Sequence, residues 1–330
     1  MSTSTTAASP VSKKSLFRSD ATQKILAFAG LIVIFLVFSV ASPYFRQFDN
    51  IVAILLSTAV NGVLALGVTF VIITGGIDLS IGTVLTFSAV MTGVFIVDLK
   101  LPVPVGVLGG LLAGAACGLV NGFTIAKMKI PPFIATLGMM MATKGLALIL
   151  SRSKPIYFMD TPAFNQIAMG SIIPAISIPN AVLILFGAAI IASLVLGKTI
   201  LGRYNFAIGS NEEATRLSGV NVDNWKIAIY TLCGLFAGLG GVLMASRLNS
   251  AQPALGAGYE LDAIAAVVIG GTSLSGGEGT ILGTIIGAFI MSTLINGLRI
   301  LSVPQEWQMV VTGLIVIGAV YADIARRRGK

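Results

Sequence analysis

Long apolar runs recur along the whole chain, and they constrain its fold more than any other feature. One example, ILAFAGLIVIFLVFSVAS from Ile25 to Ser42, contains no charged residue. A run of about 17 to 25 mostly apolar residues is long enough to cross about 30 Å of hydrocarbon as a helix. Lipid offers no hydrogen-bond partners to the backbone, so such runs cross membranes as helices. The sequence therefore predicts an all-α integral membrane protein.

About ten transmembrane helices are expected, separated by short polar connections. They lie near residues 25–42, 51–72, 80–97, 103–126, 133–150, 181–197, 227–245, 259–274, 280–298 and 307–323. Two Gly-rich segments, around 75–80 and 270–279, interrupt this pattern and are expected to be broken or re-entrant. The first run follows a long polar leader without a small-residue cleavage pattern, so we interpret it as a retained span rather than a signal peptide.

Basic residues fall unevenly on the two sides that ten spans would create. With the N-terminus inside, the cytoplasmic side holds Lys13, Lys14, Arg18, Lys24, Lys127, Lys129, Lys198, Arg203, Arg216, Lys226, Arg326, Arg327, Arg328 and Lys330. The outside holds only Arg46, Lys100, Arg152, Lys154, Arg247 and Arg299. Such an excess is typical of cytoplasmic loops. We expect both termini in the cytoplasm, with a tail over 1–24, a single transmembrane domain over 25–323 and a basic tail over 324–330.

Several functional classes are disfavoured by what the chain contains. It has 55% hydrophobic and 10% charged residues, and no histidine. Ser-His and Cys-His nucleophile pairs and His-bound zinc are therefore excluded. Cys117 and Cys233 lie within apolar runs, which disfavours a disulfide framework or a cysteine metal site. No cofactor, metal or nucleic acid is predicted as a partner, because the net charge of +8 is explained by membrane loops.

The stretch GSNEEATRLSG, from Gly209 to Gly219, is a polar island in this apolar chain. It lies in a segment, 198–226, that the topology assigns to the cytoplasm. Ser210 and Glu213 have the spacing of a capping box, so a helix of about eight residues is expected to begin at Ser210. Gly219 is positioned to end that helix in the left-handed conformation.

An isolated helix this short is marginal in water, so it must pack against something else. Glu212 and Arg216 have the i,i+4 order that favours an ion pair. Ala214, Leu217 and Ser218 offer a small apolar strip. From the residues alone, the helix is either a connector braced by its own membrane domain or a docking helix for a soluble partner.

Three long stretches carry a family resemblance. They are VTFVIITGGIDLSIG, LGRYNFAIGSNEEATRLSGVNV and NSAQPALGAGYELDAIAAVVIGGTSLSGGEGTILGT. From about residue 20 to the C-terminus, the chain resembles the membrane permease subunit of bacterial ATP-binding-cassette importers for ribose and related sugars. The resemblance implies an inner-membrane permease that acts as a homodimer or pseudo-dimer with a cytoplasmic ATPase and a periplasmic sugar-binding protein.

The resemblance also implies a role for the polar island. In such permeases an "EAA"-like cytoplasmic helix, here carrying Glu213, Ala214 and the downstream Gly219, inserts into the ATPase. Thr215 departs from the pattern, because many relatives carry a second alanine there. The expected coupling residues are Ser210, Glu212, Glu213, Ala214, Thr215, Arg216, Leu217 and Gly219.

The two Gly-rich breaks resemble each other. GGIDLSIG from Gly75 to Gly82 and GGTSLSGG from Gly270 to Gly277 share five of eight positions at an offset of 195 residues. Paired breaks in the two halves of a transporter are typical of discontinuous helices that line a pathway. Alternatively, Gly/Ser-rich turns are alike by chance and permit close helix packing. The candidate pathway residues are Gly75, Gly76, Asp78, Ser80, Gly270, Gly271, Ser273 and Ser275.

Ionisable residues within the apolar runs need a polar environment. An acid at the membrane centre costs about 2.5 to 3.5 kcal/mol, so Asp78 should face a cavity or a partner. It is also placed to cap a helix beginning at Leu79. Glu260 and Asp262 are interpreted as helix-start acids, and Lys144 as a side chain that reaches the interface or neutralises an acid.

The sequence therefore favours the pathway-forming subunit of an ATP-driven importer for ribose or a related monosaccharide. A stand-alone secondary transporter, with Asp78 or Glu260 as a proton or cation site, is the alternative. A membrane-embedded enzyme is disfavoured by the absence of histidine and of clustered metal ligands.

Overall fold

A computed structural model of the protein describes residues 20–172 and 178–328, and almost all of them are helical. The helices are α1 (Asp20–Ala41), α2 (Phe48–Ile73), α3 (Ile81–Gly93), α4 (Val103–Ala126), α5 (Pro132–Leu150), α6 (Pro162–Met169), α7 (Asn180–Lys198), α8 (Ile200–Ser210), α9 (Glu212–Leu217), α10 (Val222–Leu248), α11 (Tyr259–Ile269), α12 (Ile281–Ile300) and α13 (Gln305–Arg328). Most of the tail expected over 1–24, and the last two residues of the tail expected over 324–330, lie outside the described residues.

The all-α membrane architecture is confirmed. Within the described chain, seven helical stretches are long and apolar enough to cross a membrane: α2, α3 with the π-helical turn that follows it to Asp98, α4, α5, α7, α10 and α12. Each coincides with one of the runs expected from the sequence. The apolar part of α1, Ile25–Ala41, is shorter than these seven.

The run expected over 259–274 does not form one continuous span. Helix α11 has 11 residues and ends at Ile269, so it extends only about 16 Å. The residues from Gly270 to Thr280 form turns before α12 begins. A break therefore occupies the end of the expected span, because the Gly and Ser residues there favour turns over helix.

Helix α2 is the centre of the bundle. Every residue from Thr58 to Ile73 is buried, and α10, α12, α7 and α11 surround it. Such a helix is apolar on all sides because it has no lipid-facing stripe. By contrast, most residues of α4, α5 and α7 are not buried in the single chain, as expected of helices that meet lipid or another subunit.

Helices α4 and α10 approach each other through glycine. A side chain at Gly114 would collide with the Gly234 carbonyl group, and one at Gly118 with the Tyr230 carbonyl group. Small residues let two backbones pack this closely, and membrane helices are stabilised mainly by such packing. Buried hydroxyl pairs add to it, since Thr69 and Thr284 lie 2.7 Å apart between α2 and α12.

The bundle has two distinct ends. One carries α8, α9 and the start of α10, and is called here the α9 end. The other carries a two-stranded antiparallel ribbon of β1 (Ile156–Tyr157) and β2 (Ser250–Ala251), and is called the ribbon end. Helix α6 packs there against the end of α10, where the Ser246 hydroxyl donates to the Phe164 carbonyl oxygen at 2.7 Å.

Candidate functional site

The N-cap of helix α9 lies one residue later than the sequence predicts. Ser210 is the last residue of α8, and Asn211 is the N-cap of α9, its side-chain oxygen accepting from the Ala214 N–H at 2.9 Å. The capping box predicted for Ser210 and Glu213 is therefore wrong. Asn is as good an N-cap as Ser, and the extended backbone of Asn211 turns the chain between the two helices.

The end of α9 is as expected. Gly219 has φ +85°, and its N–H donates to the Arg216 carbonyl oxygen at 3.0 Å. The Val220 N–H reaches back to the Thr215 carbonyl oxygen at 3.4 Å. This pair of bonds is a Schellman cap, which needs a left-handed residue and so favours glycine.

An ion-pair network holds α9 to the rest of the protein. The Glu212 carboxylate pairs with Arg216 at 3.3 Å, as the sequence predicts, and with Lys226 at 2.6 Å. Arg216 also reaches Asp223 at 2.9 Å, and Asp223 receives Lys129 at 2.9 Å. Because Lys129 belongs to the α4–α5 connection and Asp223 to the first turn of α10, the network joins three parts of the α9 end.

The charges of this network stabilise one another. Burial alone would raise the pKa of Glu212, but the hydrogen bond and charge of Lys226, with those of Arg216, lower that pKa below its usual range. Asp223 is likewise surrounded by cations, since Lys129 and Arg216 both lie 2.9 Å from its carboxylate. Glu212 therefore carries full negative charge near neutral pH.

One face of α9 is turned away from the protein. Leu217 is 83% exposed, and Glu213, Ala214 and Gly219 are exposed beside it. Thr215 lies on the opposite face, 7% exposed, and its hydroxyl donates to the Asn211 carbonyl oxygen at 2.8 Å. The residue that departs from the family pattern therefore packs inward, away from the exposed face.

The two Gly-rich breaks begin with the same backbone structure. After α2, the Gly75 N–H donates to the Ile72 carbonyl oxygen and the Gly76 N–H to that of Val71. After α11, Gly271 and Thr272 make the equivalent bonds. Gly75 and Gly271 both have left-handed backbones. In the structure Gly75 thus corresponds to Gly271, 196 residues later, whereas the sequence match pairs residues 195 apart.

The breaks meet each other at the α9 end, together with the end of α8. The Gly277 N–H donates to the Ile73 carbonyl oxygen at 2.9 Å. A Cβ on Gly209 would overlap that carbonyl oxygen and lie 2.6 Å from the Gly277 nitrogen. We call these three residues, Ile73, Gly209 and Gly277, the three-way junction. It places the chain just before α9 against both breaks.

Asp78 lies at the centre of a buried polar cluster. It is 2% exposed, and its carboxylate accepts from the Ser80 N–H at 2.9 Å and the Ser80 hydroxyl at 2.6 Å. Asn121 of α4 donates to the same hydroxyl at 2.9 Å. Helix α3 begins at Ile81 with Ser80 at its N-cap, so the prediction of a helix capped by Asp78 and starting at Leu79 is wrong by two residues.

Most of the expected pathway residues are covered within the single chain. Gly76, Asp78, Ser80, Gly270 and Ser273 are buried and Gly271 is half-buried, whereas Gly75 and Ser275 are exposed. The structure therefore brings the two breaks together as packed segments near the α9 end. Glu260, expected at a helix start, accepts from the Gly258 N–H at 3.1 Å in the first turn of α11. Among the described residues Lys144 makes no ion pair.

Two residues of the site were missed by reasoning from the sequence. Asn211 precedes two acids, which is itself a helix-start pattern, but Ser210 gave a competing match to a capping box. Asp223 joins Lys129, which is 94 residues away in sequence, to Arg216, which is seven residues away. Only its position in a segment rich in basic residues could have suggested such a role.

Comparison with known proteins assigns the family. Residues 50–320 match the family described as "Branched-chain amino acid transport system / permease component". The ribose import permease protein of Escherichia coli strain K12 is 43% identical over 294 residues, which cover 89% of this chain and 91% of the relative. The ribose import permease protein of Bacillus subtilis strain 168 is 43% identical over 302 residues, 91% of this chain and 92% of the relative.

A relative named for another sugar is also similar. The L-arabinose transport system permease protein of Escherichia coli strain K12 is 38% identical over 305 residues, which cover 91% of this chain and 92% of the relative. No solved structure matches the chain. The family match spans both Gly-rich breaks, α9 and the three-way junction. The chain therefore belongs to this family of transport-system permease components.

Proposed function

We propose that the chain is the transmembrane permease subunit of an ATP-binding-cassette importer that carries ribose or a related monosaccharide. Relatives at 43% identity over nine tenths of the chain are named ribose import permeases, and this supports ribose as the leading substrate. The arabinose and fructose permeases among the relatives extend the class to other monosaccharides. The chain has about ten spans, with α1, α13 and the broken α11 completing the seven long apolar helices.

The proposal assigns the α9 end to the cytoplasm, along with both termini, in the bacterial inner membrane. The supporting feature is charge, because Lys127, Lys129, Arg216 and Lys226 lie together at that end. Cytoplasmic loops carry such an excess of basic residues. The ribbon end then faces the periplasm, where a sugar-binding protein delivers the substrate.

Docking of the ATPase on α9 is the step that the geometry supports best. Helix α9 has a cap at each end and an ion-pair network behind it, yet Leu217 on its outer face is 83% exposed. A six-residue helix is not stable by itself. The rest of the protein therefore holds α9 in place although the outer face of α9 adds nothing to the hydrophobic core. This single observation carries the proposal that α9 with Glu213, Ala214 and Gly219 is the contact for a separate ATPase subunit.

The three-way junction explains how such a contact could act on the pathway. Gly209 is two residues before the N-cap of α9 and packs against both Ile73 and Gly277. A shift of α9 driven by the ATPase therefore displaces both Gly-rich breaks together. Interfaces packed this tightly respond by moving as units rather than by deforming. In this account the breaks transmit motion to α3 and α12, which follow them.

Two copies of the chain are proposed to form the pathway between them. Support comes from α4, α5 and α7, because most of their residues are not buried in the single chain. A closed symmetric dimer is the commonest arrangement of identical subunits. Each copy then presents one α9 to one ATPase subunit.

Co-purification tests the docking assignment. The tagged chain is expressed with a candidate ATPase subunit from the same organism, and the bound ATPase is quantified for the wild type, Glu213→Lys and Gly219→Val. Both variants should lose most of the ATPase, because one reverses a charge on the exposed face and the other disrupts the left-handed cap. Met159→Ala serves as the control, since Met159 is 73% exposed near the ribbon strand β1. Full retention of ATPase by both variants would exclude α9 as the docking element.

A further inference from the structure

One irregular segment of the chain lies deep in the bundle and faces outward. Residues 252–258, QPALGAG, leave the ribbon after Ala251 and lead to α11, which begins at Tyr259. None of its residues is in a helix or a strand, and residues 253–258 form turns. We call it the descending segment, and it is distinct from the two Gly-rich breaks expected from the sequence.

Contacts with α3 and α5 fix its depth. Gly256 packs so closely on α3 that a Cβ there would collide with the Gly82 carbonyl group and the Thr86 hydroxyl group. Thr83, in the same turn, receives a hydrogen bond from Thr143 of α5 at 2.8 Å. Thr143 lies about 16 Å above the first residue of α5, at 1.5 Å per residue. The descending segment therefore reaches the middle of the membrane.

The backbone of the descending segment is incompletely paired. Within the described chain, no backbone carbonyl group accepts a hydrogen bond from the N–H groups of Ala254, Gly256 or Ala257. Gly256 is buried, whereas Ala254, Leu255, Ala257 and Gly258 are exposed, so at positions 254 and 257 only a methyl side chain stands beside the peptide group. Non-helical backbone at membrane depth is tolerated where protein buries it or where it lines water, and not where it meets lipid.

Lys144 adds a charge to the same face. It is exposed, and together with Thr83, Thr86, Pro253 and Gly256 it bounds a small cleft beside the descending segment. A lysine this far from the membrane surface is costly in lipid but not beside water. Two independent features, an unpaired backbone and a charged side chain, thus require a polar environment at the same place.

We infer that the descending segment and Lys144 form a water-exposed wall of the sugar pathway, where peptide groups bind the hydroxyl groups of an uncharged sugar in transit. This inference rests on the proposed function, and it names residues that the Gly-rich breaks do not include. Peptide N–H and C=O groups suit such a ligand because they donate and accept hydrogen bonds without fixed charge. The small side chains of Ala254 and Ala257 leave them accessible.

Cysteine accessibility tests the inference. Cys117 and Cys233 are buried, so the unmodified chain gives a low background of labelling. Ala257→Cys and Ala254→Cys are made separately in the complex of permease, ATPase and binding protein, and treated with a charged, membrane-impermeant methanethiosulfonate. Ile190→Cys is the matched control, because Ile190 is 62% exposed within the regular helix α7, where its neighbours are apolar.

The expected result is labelling at position 254 or 257 about tenfold or more faster than at 190, since a charged reagent is excluded from lipid. Saturating ribose should slow that labelling severalfold. Labelling at 254 and 257 no faster than at 190, in a complex that still transports ribose, would overturn this inference and leave the proposed function intact. An assembled complex that transports no sugar under any condition would instead count against the proposed function.

Discussion

Gly277 donates its backbone N–H to the carbonyl oxygen of Ile73 over 2.9 Å. This bond joins the two Gly-rich breaks, one of which lies in each half of the sequence. Gly209 packs against both the Ile73 carbonyl oxygen and the Gly277 nitrogen, so a side chain at position 209 would have no room. In the proposed mechanism, the junction is the point at which a movement of α9 reaches the helices that follow both breaks.

Gly209→Ala is expected to disrupt this junction. The new methyl group would overlap the Ile73 carbonyl oxygen, and overpacking of this kind costs about 1 to 3 kcal/mol. Because backbone rather than a flexible side chain must move, we expect ribose uptake to fall several-fold in proteoliposomes that contain the ATPase and the binding protein. The amount of ATPase bound should change little, since Gly209 is not on the exposed face of α9.

Gly197→Ala provides the control for that substitution. Gly197 lies near the end of α7, and a Cβ there would meet nothing within 4 Å. Both variants are compared by uptake and by thermal unfolding in detergent. Equal uptake and equal melting temperature for the two would contradict the assigned role of the three-way junction.

Leu217→Asp should abolish ATPase binding without destabilising the permease. Leu217 is 83% exposed, so its replacement removes no buried contact within the chain, while a charge in an apolar docking contact is costly. Binding is measured by titration of the purified ATPase.

Thr215→Ala should behave in the opposite way, because Thr215 packs inward. This variant should have a slightly lower melting temperature than the wild type. Its affinity for the ATPase should stay within about twofold of the wild-type value, since the exposed face of α9 is unchanged.

Asp223→Asn tests the ion-pair network. Asp223 pairs with Arg216 and Lys129, both at 2.9 Å, and exposed pairs of this kind contribute about 0.2 to 1 kcal/mol each. The variant should melt a few degrees lower at most and bind the ATPase more weakly, because α9 loses its link to the α4–α5 connection. Lys127→Ala is the comparison variant, because it removes only the longest ion pair of Asp223, at 3.9 Å. Unchanged ATPase affinity in Asp223→Asn would exclude the network from the docking function.

The same network sets an expected pH dependence. The pKa of Glu212 is lowered in the folded protein, so the stabilisation from its ion pairs is present above the unfolded pKa of about 4. It is lost as the pH falls through the lower, folded pKa. The melting-temperature difference between the wild type and Glu212→Gln should stay constant from pH 5.5 to 8 and shrink below about pH 4. A difference that shrinks already between pH 7 and 6 would contradict this shift.

Much of this architecture follows from the sequence because membrane helices need long apolar runs and glycine marks breaks and caps. Seven expected spans and the left-handed cap at Gly219 are confirmed for those reasons. The inward packing of Thr215 could not be predicted, because a six-residue helix has no hydrophobic period long enough to orient it. The one-residue error in the match between the breaks arose because GG recurs at both, while the left-handed position is the second Gly of one pair and the first of the other.

The descending segment was missed for a different reason. Its sequence, QPALGAG, reads as an ordinary turn between two apolar stretches. Its depth depends on the packing of Gly256 against α3, and no local pattern reports such a long-range contact.

Uptake by reconstituted proteoliposomes tests the central claim most directly. Radiolabelled ribose is supplied outside with the binding protein, ATP is enclosed inside with the ATPase, and the wild-type chain is compared with Leu217→Asp. We predict uptake that requires ATP and the ATPase and falls to background in Leu217→Asp. Ribose uptake by the chain alone, without ATPase but dependent on a proton gradient, would contradict the account and indicate a secondary transporter instead.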